Sequence, residues 1–249
     1  VEEPRPRWKR TVNVTNSILG DLLGQEYVAK YLPAGTKEKF IEIGKNIKDT
    51  FAEHIRALDW MSDATKEKAL QKLEAVNMKL AYPDVWKDLS ALKITRNSYV
   101  QNAINASKWS TARMIARYGQ PVDRSEWHMQ PHTYNAYYSP SNNEICIPGC
   151  NIIVPGFDGR MPDDAVLYAI IGGSTFGHEV SHGFDDEGSQ FDAEGNPGYT
   201  DLVLNNPDYI TVACSLMYSK FGGAGVIDAH RFDASYDEKQ MHALDLWLT

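Results

Sequence analysis

A chain of 249 residues, 43% hydrophobic and 23% charged, has the make-up of a folded domain rather than of a fibrous or disordered chain. A formal net charge of -8 excludes a basic field for nucleic acid or for an anionic membrane surface. No apolar run reaches the roughly 20 residues that span a bilayer, and Val1-Glu2-Glu3-Pro4 lacks the basic-then-apolar order of a signal peptide.

The first half reads as helices. Residues 8–31 carry apolar positions at Val12, Ile18, Leu19, Leu22, Leu23 and Val28, and Pro33 and Gly35 then punctuate. Residues 37–58 set Phe40, Ile43, Ile47, Phe51, Ile55 and Leu58 at near-helical spacing, which predicts a second helix. Ser62-Asp63 offers a cap for a third helix, with Leu70, Leu73, Val76 and Leu80 on one face and Tyr82-Pro83 as its end. A fourth is expected over residues 98–118. We read these stripes as core-packing faces rather than cofactor linings, and the Lys and Glu runs between them as solvated surface.

The texture changes at Pro121. Residues 127–157 mix Tyr134, Tyr137, Tyr138, Ile145, Ile147, Ile152, Ile153 and Val154 with turn residues at Pro140, Asn142-Asn143 and Pro148-Gly149, the pattern of a short β region. A further helix starts near Pro162-Asp163-Asp164, where Asp can cap free N–H groups, and runs through Leu167 and Ile171 to His178. Gly183 and the acidic stretch Asp185 to Gly188 end it. From Pro197 onward Gly, Asn and Asp are common and no long periodic helix stands out. The organisation is therefore mainly α with a small β region (α+β): residues 1–196 as one unit and residues 197–249 as a divergent part.

Cys146, Cys150 and Cys214 make no disulfide framework. The first two are read as small buried residues, since no second pair completes a zinc site.

The chemistry lies in His178-Glu179-Val180-Ser181-His182. Residues four apart share a helix face, so His178 and His182 can present two imidazole nitrogens to one zinc ion. Glu179 falls beside the metal, where it can take a proton from a metal-activated water and pass it to a leaving amine. The plain alternative is a chance pentapeptide on an exposed helix. Glycines 172, 173 and 177 weigh against it, because glycine inside a helix implies close packing or an approaching ligand.

The segment Gly177-His178-Glu179-Val180-Ser181-His182-Gly183-Phe184-Asp185-Asp186 resembles the zinc segment of the neprilysin and endothelin-converting-enzyme family of metallopeptidases. Asn135-Ala136-Tyr137-Tyr138-Ser139-Pro140, Asn143-Glu144-Ile145 and Ile147-Pro148 resemble its strand region. Arg7-Trp8-Lys9-Arg10, residues 27–33 and residues 66–73 also fit, so the resemblance covers about residues 4–196. It implies a thermolysin-like zinc core with one Zn2+ ion, and hydrolysis of peptides rather than of large folded proteins. It further implies that Asn135 and Ala136 form an edge strand holding the substrate backbone, with Asp185 supporting the metal site from behind. Their plain alternatives are a turn residue for Asn135 and a helix end for Asp185. Family members face the outside of the cell or the bacterial envelope, so an extracytoplasmic setting follows, and the few cysteines resemble the bacterial branch.

The chain departs from the family in one respect that bears on the metal. The family's third zinc ligand is a glutamate in a Glu-Asn-x-x-Asp helix, and no such sequence occurs here. Glu238 lies at a plausible distance downstream, although an exposed acidic residue is the plainer reading of it. Glu187 stands too close to His182 to be favoured, and His230 and His242 read as surface residues. The expectation is thus a zinc endopeptidase, whole or as a piece of a longer chain. The alternative is a peptide-binding module, or a fragment, that lacks the third ligand and does not turn over.

Overall fold

The computed structural model describes residues 3–197 apart from 60, 158 and 186. Cys214, His230, Glu238, His242 and nearly all of the 197–249 part lie outside the described residues.

Four long helices open the chain: α1 (Arg7–Tyr31), α2 (Thr36–Ala57), α3 (Asp63–Glu74) and, after strand β1 (Asn77–Ala81), α4 (Tyr99–Ala116). Serine caps two of them, Ser62 as its sequence suggests. Ser62 accepts the N–H of Thr65, and Ser98 accepts that of Gln101. The α2 stripe behaves as a core face: Phe40, Ile43, Ile47, Phe51 and Ile55 are all buried.

The other stripes do not all follow. On α1 the buried positions are Gly20 and Gly24, whereas Val12, Leu22 and Leu23 are exposed. The glycines let α1 come close to its neighbours. A Cβ at Gly20 would stand 2.9 Å from the Gln130 side chain, and one at Gly24 2.9 Å from Pro131. None of α4 is buried.

The third helix also ends earlier than its spacing predicts. It stops at Glu74, and residues 77–81 form β1, parallel to β3 (Glu144–Pro148), with Asn77 opposite Glu144 and Ala81 opposite Pro148. Val76 and Leu80 are buried as a helical face would require, but Val76 sits in the link after α3 and Leu80 in the strand. Sheet pairing overrides the local period here. The short β2 (Tyr137–Ser139) runs antiparallel to β3, giving the order β1-β3-β2 with β2 at an edge. All of β3 is buried.

One helical rod then carries the zinc-type motif. Its start, α5 (Asp164–Leu167), is capped by Asp163, which accepts the Val166 N–H at 3.0 Å. Tyr168–Gly177 winds as a π-helix, and α6 (His178–Ser181) completes the rod. Gly172, Gly173 and Gly177 lie in this wide-wound stretch, consistent with the rarity of π turns outside special sites. The core of α2, the sheet and this rod meets through Phe40 against Phe176, edge to face at 5.9 Å, and Phe51 against Phe184 at 6.4 Å.

Candidate metal centre

The motif brings its two histidines together. Nε2 of His178 and Nε2 of His182 stand 3.1 Å apart, with the rings edge to face. A tetrahedral zinc with nitrogen ligands at about 2.0–2.1 Å holds them roughly 3.3 Å apart. The pair therefore fits one ion with little movement. Among the described residues no group of three or more His, Cys, Asp or Glu side chains suits a metal ion. A third protein ligand would come from elsewhere in the chain or in a longer one. Glu187 is exposed and does not join the pair.

Asp185 fixes one of the two imidazoles. Its Oδ2 lies 2.7 Å from Nδ1 of His182, and its Oδ1 accepts the N–H groups of Glu187 at 3.1 Å and Gly188 at 2.7 Å. Burial alone would raise this carboxyl, but the hydrogen bonds from His182, Gly188 and Glu187 outweigh it and hold it below its ordinary value. The hydrogen bond to Asp185 in turn raises His182, while burial and the neighbouring His182 charge lower His178. With Nδ1 donating to a carboxylate, the Nε2 lone pair of His182 points toward His178, as a metal ligand requires.

Glu179 is buried, 7% exposed, and burial raises its carboxyl. The His182 charge and a hydrogen bond from the Tyr138 backbone act against the rise. The glutamate is thus held between the motif helix and the outer edge of β2. Asn135 is exposed and Ala136 partly buried against the core. Both lie just before β2, where the Asn135 N–H donates to the Thr133 carbonyl at 2.9 Å, so the strand begins at Tyr137 rather than at Asn135. The Asn135 carbonyl accepts a hydrogen bond from Asn151 Nδ2 at 3.1 Å, which fixes the approach to the strand.

Four supporting residues were not singled out from the spacing. Tyr138 donates through its hydroxyl to Asn143 Oδ1 at 3.0 Å. Asn143 is fully buried, adopts φ 43°, and donates to the carbonyls of Lys72 and Ala193 at 3.0 Å. Lys72 is buried and donates to the carbonyls of Gly188 and Phe191. Gly188 sits on the motif itself, where a Cβ would stand 1.8 Å from the His182 carbonyl oxygen. Lys72 shares a helix face with Thr65, Ala69 and Leu73, all buried; that placement is its one signal in the sequence. Cys146 and Cys150 are free and buried, and burial pushes both thiols up to about 12, so they pack rather than react.

Comparison with known proteins identifies the family. Two family models, both of peptidase family M13, match: the N-terminal one at residues 1–83, the other at residues 135–204. Neprilysin-11 of Caenorhabditis elegans is 32% identical over 206 residues, 78% of this chain. A neutral endopeptidase of Lactococcus lactis is 32% identical over 197 residues, 79% of this chain. The chain spans only 24% and 31% of those two relatives. Among solved structures, the zinc metalloprotease ZMP1 of Mycobacterium tuberculosis in an open state superposes with a TM-score of 0.71 and 37% identity, covering 82% of this chain and 32% of that one. PEPO of Lactobacillus rhamnosis gives 0.69 and 31%, covering 77% and 30%. With one match over the N-terminal helices and another running through the β region and the motif, this chain belongs to peptidase family M13, the zinc metallopeptidases of neprilysin type.

Proposed function

We propose that this chain carries the zinc-binding and proton-transfer half of a metalloendopeptidase that hydrolyses oligopeptides. The observation behind this reading is the convergence of His178 and His182 Nε2 at 3.1 Å beside the buried Glu179 carboxyl. His178 and His182 would hold one zinc ion, with a third ligand from outside the described residues; Glu238 is a weak candidate for it in this chain, an exposed acidic residue being the plainer reading. When bound, zinc supplies Lewis acidity, polarising the scissile carbonyl and making water nucleophilic near neutral pH.

The chain's own residues supply the rest. Glu179, its carboxyl raised by burial, is placed to accept a proton from the attacking water and to pass it to the departing amine nitrogen. Asp185 keeps the His182 imidazole in one orientation. The outer edge of β2 faces the motif helix and, among the described residues, pairs with no further strand. A peptide laid beside Asn135, Ala136 and Tyr137 would add as a strand and bring a carbonyl to Glu179. An extracytoplasmic setting belongs to the same reading and rests on the family resemblance.

Zinc content and cleavage of a quenched peptide by the 249-residue chain test it. Chelator-sensitive cleavage with one zinc per chain, both lost in His178→Ala, supports the reading. Peptide binding that depends on Asn135 but not on zinc, without turnover, supports instead a peptide-binding module, which the presence of only two ligands among the described residues favours.

A further inference from the structure

Buried lysines are rare because the ammonium loses its hydration, and one is retained only where it is well partnered. Lys72 is 3% exposed and belongs to α3, more than a hundred residues before the motif. Its Nζ donates to the Gly188 carbonyl at 2.5 Å and the Phe191 carbonyl at 2.7 Å, at the two ends of one tight turn, and lies 5.9 Å from the Phe184 ring centroid.

That turn is the support of Asp185. The N–H groups of Glu187 and Gly188 point at Asp185 Oδ1, and the Ser189 N–H donates to the Asp185 carbonyl at 2.9 Å. Asp185 Oδ2 then meets His182 Nδ1. From the other side, the Lys72 carbonyl accepts Asn143 Nδ2, and Asn143 accepts the Tyr138 hydroxyl from β2. One hydrogen-bonded path therefore runs from the edge strand through α3 and the 188–191 turn to the metal-facing imidazole.

We propose that Lys72 is a positioning residue of the metal centre, clamping the 188–191 turn so that Asp185 holds His182 ready to bind zinc. This rests on the zinc reading above. Methionine at this position has no N–H to offer either carbonyl, so the turn would relax and the Asp185 carboxylate would lose its fixed N–H partners.

The test is zinc affinity of the 249-residue chain by chelator competition. The variants are Lys72→Met, Lys72→Arg, Asp185→Asn and the Lys72→Met/Asp185→Asn pair, with Lys79→Met, assayed at a temperature where its thermal transition shows it folded, as a control for losing a buried lysine elsewhere. Lys72→Met is expected to weaken zinc by about 10–100-fold, the range for outer-shell partners. Lys72→Arg should recover at least half of that loss on a logarithmic scale, and Lys79→Met should stay within about twofold of wild type. Because Lys72 and Asp185 act through one imidazole, the double variant should be little weaker than Asp185→Asn alone. Unchanged affinity in Lys72→Met, or fully additive losses, overturns the proposal and leaves the zinc reading intact. Zinc affinity indifferent to His178→Ala overturns the reading itself. If Lys72→Met gives no cooperative thermal transition, Lys72→Gln enters the same cycle and is judged by the same outcomes.

Discussion

The carboxylate of Asp185 and the imidazole of His182 form a 2.7 Å hydrogen bond three residues apart, and it decides which nitrogen of His182 is free. A proton on Nδ1, held by the carboxylate, leaves Nε2 as a lone pair facing His178. In the zinc-free chain above its titration range, nitrogen NMR should find His182 protonated at Nδ1. In Asp185→Ala the ordinary preference for a proton on Nε2 should return. An unchanged tautomer would show that Asp185 only ends the helix.

Gly188 lies against the His182 backbone so closely that any side chain must displace one of them, since a Cβ there would come within 1.8 Å of the carbonyl oxygen. Gly188→Ala should destabilise the fold by about 1–3 kcal/mol, as overpacking does, and should weaken zinc binding in the fraction that folds. Urea unfolding and zinc titration of that variant check both expectations.

Lys79 and Glu144 form a buried ion pair across β1 and β3, at 2.8 Å with 5% and 0% exposure, and the Tyr137 hydroxyl donates to the same carboxylate at 3.0 Å. Removing one partner leaves a buried charge uncompensated, so Lys79→Met should cost about 3–5 kcal/mol. Replacing both, as Lys79→Met with Glu144→Leu, should restore most of it. A double variant as unstable as the sum of the singles would contradict this.

Burial lowers the Lys72 ammonium to about 8, with Asp185 and Asp192 opposing the fall. The unfolded chain therefore holds more protons at this site than the folded one between about pH 8 and the ordinary lysine value near 10.4. Stability rises with pH where the unfolded state binds more protons. Across that window wild type should gain stability relative to Lys72→Met, with the penalty for burying the charge fully present below pH 8. Paired urea titrations at pH 8 and 9.5 measure it, and parallel curves would refute it.

Much of this arrangement was legible in the sequence. The caps at Ser62 and Asp163, the α2 stripe and the His178–His182 spacing are local patterns, and local patterns survive folding. What could not be read depends on partners far along the chain. Leu80 satisfies a helical spacing and a buried strand equally, and only the presence of β3 decides. Lys72 sits in a run of lysines and glutamates that resembles solvated surface; its burial follows from the turn at residues 188–191. The exposed apolar positions of α1 look like a core face until Gly20 and Gly24 are found taking the close contacts. The family resemblance puts Asn135 within the strand, and the pairing starts two residues later.

Glu179 is the one acidic side chain of the motif, buried between α6 and the edge of β2. Zinc content and peptide hydrolysis should be compared in wild type and Glu179→Gln, in a chain that supplies all three zinc ligands. The expected result is retained zinc with turnover reduced by about 10²–10⁴-fold, the range for loss of a general base. Turnover unchanged in Glu179→Gln at equal zinc content would contradict the assignment of this motif as the proton-transfer centre.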